Sequence, residues 1–288
     1  GCVDSAKFDV IGLPLPTMLS KLTIKSRLSF VFNIDNYIGY TDFLDLKAFS
    51  LVEITLWDKK TGKKYVYHTY TGPRIHLIPK ITKRGICASY KKKRFIKISW
   101  GRKHSHHALT FKIRGDKIRP DAKGYLYSSY DDPLHSDYMF VSPSPTQSRC
   151  LVTWLNTTSL KGSISINNET NDSSNGIGVF LLKRMYLKIH SKSCRLVGID
   201  KIDNRNIILH LFSSNLDAND NENYNNNILI IDGEETLLPP VTITKPFGID
   251  KKWIIQDTES MVDLTFTPIS VCSRNLNIIV LKTIYHNI

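Results

Sequence analysis

Apolar and polar positions alternate along most of the chain. From Leu22 to Asn33 the even positions Leu22, Ile24, Leu28, Phe30 and Phe32 are apolar, with Lys21, Lys25, Arg27 and Ser29 opposite them. A period of two sends successive side chains to opposite faces of an extended chain, so this stretch is an amphipathic strand. Ala48 to Trp57 reads as another strand, Asp58 to Gly62 as a turn and Lys63 to Tyr70 as its return, which together make a hairpin. Ile86 to Trp100 alternates around the run Lys91-Lys92-Lys93-Arg94. Four consecutive charges cannot all face a core, because burying one unpaired costs several kcal/mol. The run therefore caps a hairpin, with Lys97 and Ser99 on its outer face. Cys194 to Val197 and Ile207 to Phe212 continue the pattern. Helical periodicity is weak throughout, so the chain is expected to be all-β.

The clearest succession of elements runs from Asn227 to Pro268. Asn227 to Ile231 is an apolar strand and Asp232-Gly233 a turn. Leu238 to Ile243 and Trp253 to Gln256 follow. In Val262 to Phe266 the apolar Val262, Leu264 and Phe266 alternate with Asp263 and Thr265, predicting one buried and one polar face, and Pro268 stops the strand. This order resembles the family catalogued as domain of unknown function 2804, allied to hydroxyneurosporene synthase and other two-barrel lipocalin-like (calycin) proteins. The resemblance implies two lipocalin-like antiparallel β-barrels or half-barrels in tandem. Their expected spans are 1–145 and 146–288, joined near Ser142-Pro143-Ser144-Pro145, where family members have a proline-bearing crossover. Leu151 to Ile166 resembles the opening strand, loop and Gly-containing strand of the family's second barrel, with Gly162 in the glycine position. The chain departs from the family between Asn171 and Gly176, where Asp172 stands without the usual Arg-Gly. Met185, Tyr186 and Leu187 replace the tryptophan-bearing strand, so no ligand role is carried over to Asp172.

The 288 residues, 41% of them hydrophobic, suffice for a full core. No run of about 18 apolar residues would make a membrane-spanning helix, and no secretory h-region opens the chain. Cys2, Cys87, Cys150, Cys194 and Cys272 are odd in number and widely spaced. That favours free thiols in a reducing compartment over a disulfide framework or zinc site. The polar insert between Asn215 and Asn227 is expected to be a disordered loop. Sequons at Asn156, Asn168 and Asn171 matter only in a secreted chain.

Charge changes the picture. The formal net charge is +13, yet the segment from Lys59 to Gly115 contains no Asp or Glu and 17 Lys or Arg, leaving a small negative excess elsewhere. Such a cluster directs a field toward a negatively charged surface. The expected partner is an anionic membrane surface, met by Lys91, Lys92, Lys93, Arg94, Lys97, Arg102 and Lys103. A solvated strand edge is the competing reading. Nucleic acid ranks last, because no recognition motif accompanies the charge. If a Met precedes Gly1, Gly1 to Ser5 fits the myristoylation pattern, and Cys2 beside it would take palmitate. A bacterial lipobox remnant and an ordinary N-terminus are the other readings. With acylation, the protein would be cytoplasmic and peripheral to a membrane. His104 and His106 would share a strand face as a metal requires, but no carboxylate or Cys stands close by, so a polar strand end is preferred.

Together these features predict binding of a lipid or other apolar small molecule inside a β-barrel, without chemistry, cofactor or metal. A hydratase- or cyclase-like enzyme is the alternative, since the allied two-barrel proteins include a hydratase of carotenoid precursors and fungal Diels–Alder cyclases. Its acid would come from Asp131, Asp132, Asp172 or Asp263, buried with a raised pKa. A scaffold at a membrane assembly is the third reading. A cavity with a buried carboxylate favours the enzyme, a cavity without one favours binding, and filled barrels favour the scaffold.

Overall fold

The computed structural model describes residues 24–47, 49–72, 77–79, 84–101, 106–128, 132, 134–143, 150–167, 169–170, 174–186, 192–214, 225–278 and 281–288. Among them the elements are all strands: β1 (Ile24–Ile34), β2 (Tyr37–Asp45), β3 (Ser50–Asp58), β4 (Lys63–Thr71), β5 (Arg84–Lys91), β6 (Arg94–Gly101), β7 (His106–Ile113), β8 (Ala122–Ser128), β9 (Ser136–Pro143), β10 (Cys150–Ile166) and β11 (Glu169–Thr170). They continue with β12 (Ser174–Tyr186), β13 (Ser193–Ile202), β14 (Arg205–Ser214), β15 (Ile228–Ile231), β16 (Glu234–Leu237), β17 (Val241–Thr244), β18 (Trp253–Asp257), β19 (Asp263–Phe266), β20 (Cys272–Ile278) and β21 (Leu281–Asn287). The all-β expectation holds.

One twelve-stranded antiparallel sheet dominates, in the order β4-β3-β2-β1-β12-β10-β8-β7-β6-β5, with β9 and β11 also beside β10. Smaller sheets follow: β13-β14-β15-β16, β17-β18-β19 and β20-β21. The expected boundary at residues 145 and 146 falls between β9 and β10, which pair with each other. Beyond it, β10 and β12 take the middle of the large sheet between β1 and β8. The sheet is a half-barrel: its edges β4 and β5 share no backbone ladder. It curls far enough for side chains to join its ends. The Tyr67 hydroxyl donates to the Pro120 carbonyl at 2.8 Å, Arg119 donates to the Val66 carbonyl at 2.8 Å, and Arg94 on β6 donates to the His68 carbonyl on β4.

The period of two sets what faces inward. Leu28, Phe30, Phe32 and Ile34, the even positions of β1, form one core with Phe43, Ile54, Ile96, Ile98, Leu109, Phe111, Leu126, Trp154, Leu160 and Phe180. Each such fully buried side chain contributes roughly 1.5–3 kcal/mol of hydrophobic stabilisation. Gly39 lies under the Phe32 ring, where any Cβ would collide with it. The other face of β12 and β10 is also covered. Ile177, Val179, Leu181 and Leu155 pack against Ile208, Ile228 and Ile230 of the second sheet, which is why these two strands lack a clean alternation.

Three local expectations are corrected. Leu151 to Ile166 lies within one 17-residue strand, β10 (Cys150–Ile166), without a loop. Its long partners β12 and β9 hold it extended, and Gly162 (φ 145°) passes so close to Tyr125 that a Cβ would strike that carbonyl. The polar side of β1 and β2 is covered rather than solvated, with Ser29 and Asp42 both buried. Asp42 accepts from Arg27 Nε at 2.9 Å and Ser29 Oγ at 2.8 Å, and Arg195 of β13 reaches Ser29 Oγ at 2.9 Å. Val262, just before β19, and Phe266 at its end join a core, but Leu264 is 38% exposed, because the three-stranded sheet is too small to cover the whole face.

Candidate functional site

Phe180 stands inward at the middle of β12, and the rings of four other strands converge on it. Its centroid lies 4.8 Å from Trp154 (β10), 5.0 Å from His107 (β7), 5.2 Å from Trp100 (β6) and 6.5 Å from Phe30 (β1). These edge and tilted contacts are the arrangements that aromatic quadrupoles favour. Cross-strand pairing extends the same level around the wall: Asn156 opposite Phe180, Phe180 opposite Phe30, Phe30 opposite Thr41, Thr41 opposite Ile54, and Ile54 opposite Tyr67.

Polar atoms are set into this apolar face. Asn156, 1% exposed, donates through Nδ2 to the Ser136 carbonyl at 3.0 Å and lies 3.2 Å from His135 Nδ1. Its Oδ1 is buried and has no hydrogen-bond partner among the described residues. The same holds for Thr41 Oγ1, Ser50 Oγ and Ser89 Oγ, all on inward-facing positions. A buried polar atom left without a partner costs about 1–3 kcal/mol, and such atoms are rare enough that each needs a reason. Acceptors and hydroxyls ringed by aromatic surface are what orients an apolar ligand with a polar group.

The wall beside Asn156 is irregular. β8 pairs with the second half of β10 and β9 with the first half. The connection between them is pinned by Asp132, which accepts from Thr158 Oγ1 at 2.7 Å, from the Ser159 hydroxyl and amide, and from the Leu134 amide at 2.9 Å. Thr157 Oγ1 donates to the Leu134 carbonyl. The indole N–H of Trp154 donates to Asp137, which is exposed at the start of β9. The break in the wall and the ring cluster are thus adjacent.

The residues proposed from sequence are placed as follows. Lys91, Lys92 and Lys93 are exposed at the β5–β6 turn, as the hairpin reading requires. Arg94 leaves that group, since its guanidinium turns to the His68 carbonyl. Lys97 is half-buried on the outer face of β6. Gly1, Cys2, Arg102, Lys103, His104, Asp131 and Asp172 lie outside the described residues. His106 and His107, being consecutive on β7, face opposite sides, and His107 belongs to the ring cluster. Of the candidate acids, Asp132 is engaged by the wall. Asp263 is exposed on the small sheet, 3.3 Å from Gln256 Nε2. Sequence reading missed Trp100, His107, Trp154, Asn156 and Phe180 as a group. Each sits on a readable strand, but only the order β12-β10-β8-β7-β6 brings them together.

No family model matches the chain, and no curated protein matches its sequence. Among solved structures, kievitone hydratase from Nectria haematococca has a TM-score of 0.41 at 12% identity, covering 81% of this chain and 72% of that one. A putative AttH from Nitrosomonas europaea has a TM-score of 0.45 at 9% identity, covering 96% and 80%. CghA has a TM-score of 0.44 at 10% identity, covering 82% and 73%. These likenesses are remote and nothing about chemistry rests on them. The strand pairing itself makes the chain an all-β protein with a curled half-barrel sheet, and these neighbours are lipocalin-like barrel proteins.

Proposed function

We propose that the half-barrel binds one apolar, ring- or polyene-bearing small molecule against Phe180, without chemical conversion. The observation that carries this is Asn156 Oδ1, buried and without a partner among the described residues, on the β10 position opposite Phe180. A ligand hydroxyl donating to that oxygen would remove the penalty of leaving it unpaired, while the rings of Trp100, His107 and Trp154 cover the apolar body. A hydratase- or cyclase-like reaction would need an acid aimed at the rings. Asp132 is occupied by four donors, Asp137, which takes the Trp154 indole N–H, is exposed at the start of β9, and Asp263 is exposed on a different sheet, so binding is preferred.

All-trans-retinol and retinyl acetate test the reading, being alike in their apolar body but differing in the hydroxyl donor. Trp100 and Trp154 report directly, because both lie within the cluster. Titration with retinol is expected to quench their emission to saturation. Retinyl acetate and the Asn156→Leu variant titrated with retinol should each bind about tenfold more weakly or worse, the scale of one hydrogen bond to a buried group. Equal binding of both compounds by the wild type, or no saturable quenching, would remove Asn156 from the account.

A further inference from the structure

The strand directions collect three connections at one end of the half-barrel: the turn between β3 and β4, the turn between β5 and β6, and the loop between β7 and β8. The second and third of them touch, the Arg114 amide donating to the Lys93 carbonyl at 2.8 Å, and Arg119 and Pro120 tie the third to β4, the strand that follows the first turn. Exposed on these connections are Lys60, Lys91, Lys92, Lys93, Arg114 and Lys117. The β1–β2 turn with exposed Asp35 shares this end, but the carboxylates of the three connections themselves are turned onto their own loops. Asp58 accepts from the Lys60 amide at 2.9 Å and Thr61 Oγ1 at 2.8 Å, Asp121 accepts from the Gly115 amide at 2.7 Å, and Asp116 accepts from the Ile118 and Arg119 amides at 3.1 and 2.9 Å. The Arg119 guanidinium also holds Asp116.

At the tip of the third loop, between Lys117 and Arg119, Ile118 is 90% exposed. It is the most exposed of the large hydrophobic side chains described. A single exposed apolar side chain is ordinary, but this one follows exposed Lys117 on a loop fixed from both sides by Asp116 and Asp121 and bonded to the lysine-bearing β5–β6 turn. An apolar tip on the same end as a group of exposed cations matches one kind of partner: a surface with negative headgroups over an apolar layer. Nucleic acid would use the cations and leave the isoleucine in water.

We propose that this end of the half-barrel docks on an anionic lipid bilayer, with the lysines of the three connections meeting the headgroups and Ile118 entering the acyl boundary. The docking face differs from the basic segment as read in sequence. It gains Lys60, Arg114, Lys117 and Ile118, and it loses Arg94, which is turned to β4. It is independent of what the interior binds.

The test uses the full chain, produced without acyl groups, and vesicles of phosphatidylcholine alone or mixed with phosphatidylserine. Co-sedimentation is expected with the mixed vesicles only, and raising the salt should release the protein. Combining Lys92→Gln, Lys93→Gln and Lys117→Gln should weaken partitioning by roughly a hundredfold. Ile118→Ser should weaken it about tenfold while keeping the preference for anionic vesicles. Lys201→Gln with Lys252→Gln, exposed lysines of the smaller sheets, should change nothing. An Ile118→Trp variant should shift its emission to the blue when mixed vesicles are added. All substituted side chains are exposed, so circular dichroism should be unchanged in every variant. Equal binding to both vesicle types, full binding by Ile118→Ser, or lysine-dependent binding to RNA with none to vesicles would each overturn the proposal.

Discussion

Two kinds of buried polar residue set how the fold answers to pH and to mutation. His210 is 1% exposed, with Nδ1 2.7 Å from the Asn226 carbonyl. Burial, partly offset by that hydrogen bond, pulls its pKa down to about 3. His68 is pulled down to about 4, first by burial and then by Arg274, Arg94 and Arg119. Both are neutral in the folded chain, whereas in the unfolded chain they take up protons below about 6.5. The contribution of these two histidines to stability is therefore fully present above pH 6.5, declines as pH falls toward 4 and then 3, and declines no further below that. Urea midpoints measured across this range should show the slope, and His210→Gln should flatten its lower part. Asp42 is the second kind. Its carboxylate is buried between Arg27 and Ser29, and the neighbouring Arg195 carries the contact into β13. Asp42→Ala leaves Arg27 facing a desolvated gap and should cost about 3–5 kcal/mol in urea unfolding. Ser29→Ala should cost about 1 kcal/mol.

At the scale of elements, the closure of the sheet rests on side chains where a full barrel would use a ladder. Arg94 starts β6 as the inward neighbour of Ile113 and bonds to a carbonyl of β4. Replacing it by Gln should speed hydrogen exchange in β4 and leave β10 and β12 as in the wild type, because those two strands are covered on both faces. Unchanged exchange in β4 would mean that Tyr67 and Arg119 suffice for closure. Strands such as β1, β3, β4 and the β5–β6 hairpin were legible because each alternates by itself. The Asp232-Gly233 turn was legible too, and both residues have positive φ, at 49° and 89°. The unbroken β10 was not. Its run Thr157-Thr158-Ser159 resembles a loop, but these side chains are held by Leu134 and Asp132 from across the wall. The ring cluster was illegible for a related reason: Trp100 and Trp154 are neighbours of Phe180 only once β7 and β8 have been paired between them.

For the whole molecule, one curled sheet assembled from both halves of the sequence gives an aromatic interior at mid-height and a basic, isoleucine-tipped end. The interior and the end make separable demands, so Phe180→Ala should abolish retinol quenching while vesicle binding persists, and the three-lysine variant should do the reverse. The N-terminal proposal is independent again: if Gly1 and Cys2 carry acyl chains, Gly1→Ala moves the protein from membrane to soluble fractions and Cys2→Ser does so in part, since one chain holds only reversibly. The central claim is that the half-barrel holds an apolar small molecule against Phe180. Native mass spectrometry of the full-length protein from its own host tests it most directly. The account predicts one non-covalent apolar adduct per chain, extractable into organic solvent and missing from Phe180→Ala. A wild-type chain that carries no such adduct and takes up no retinol would contradict it.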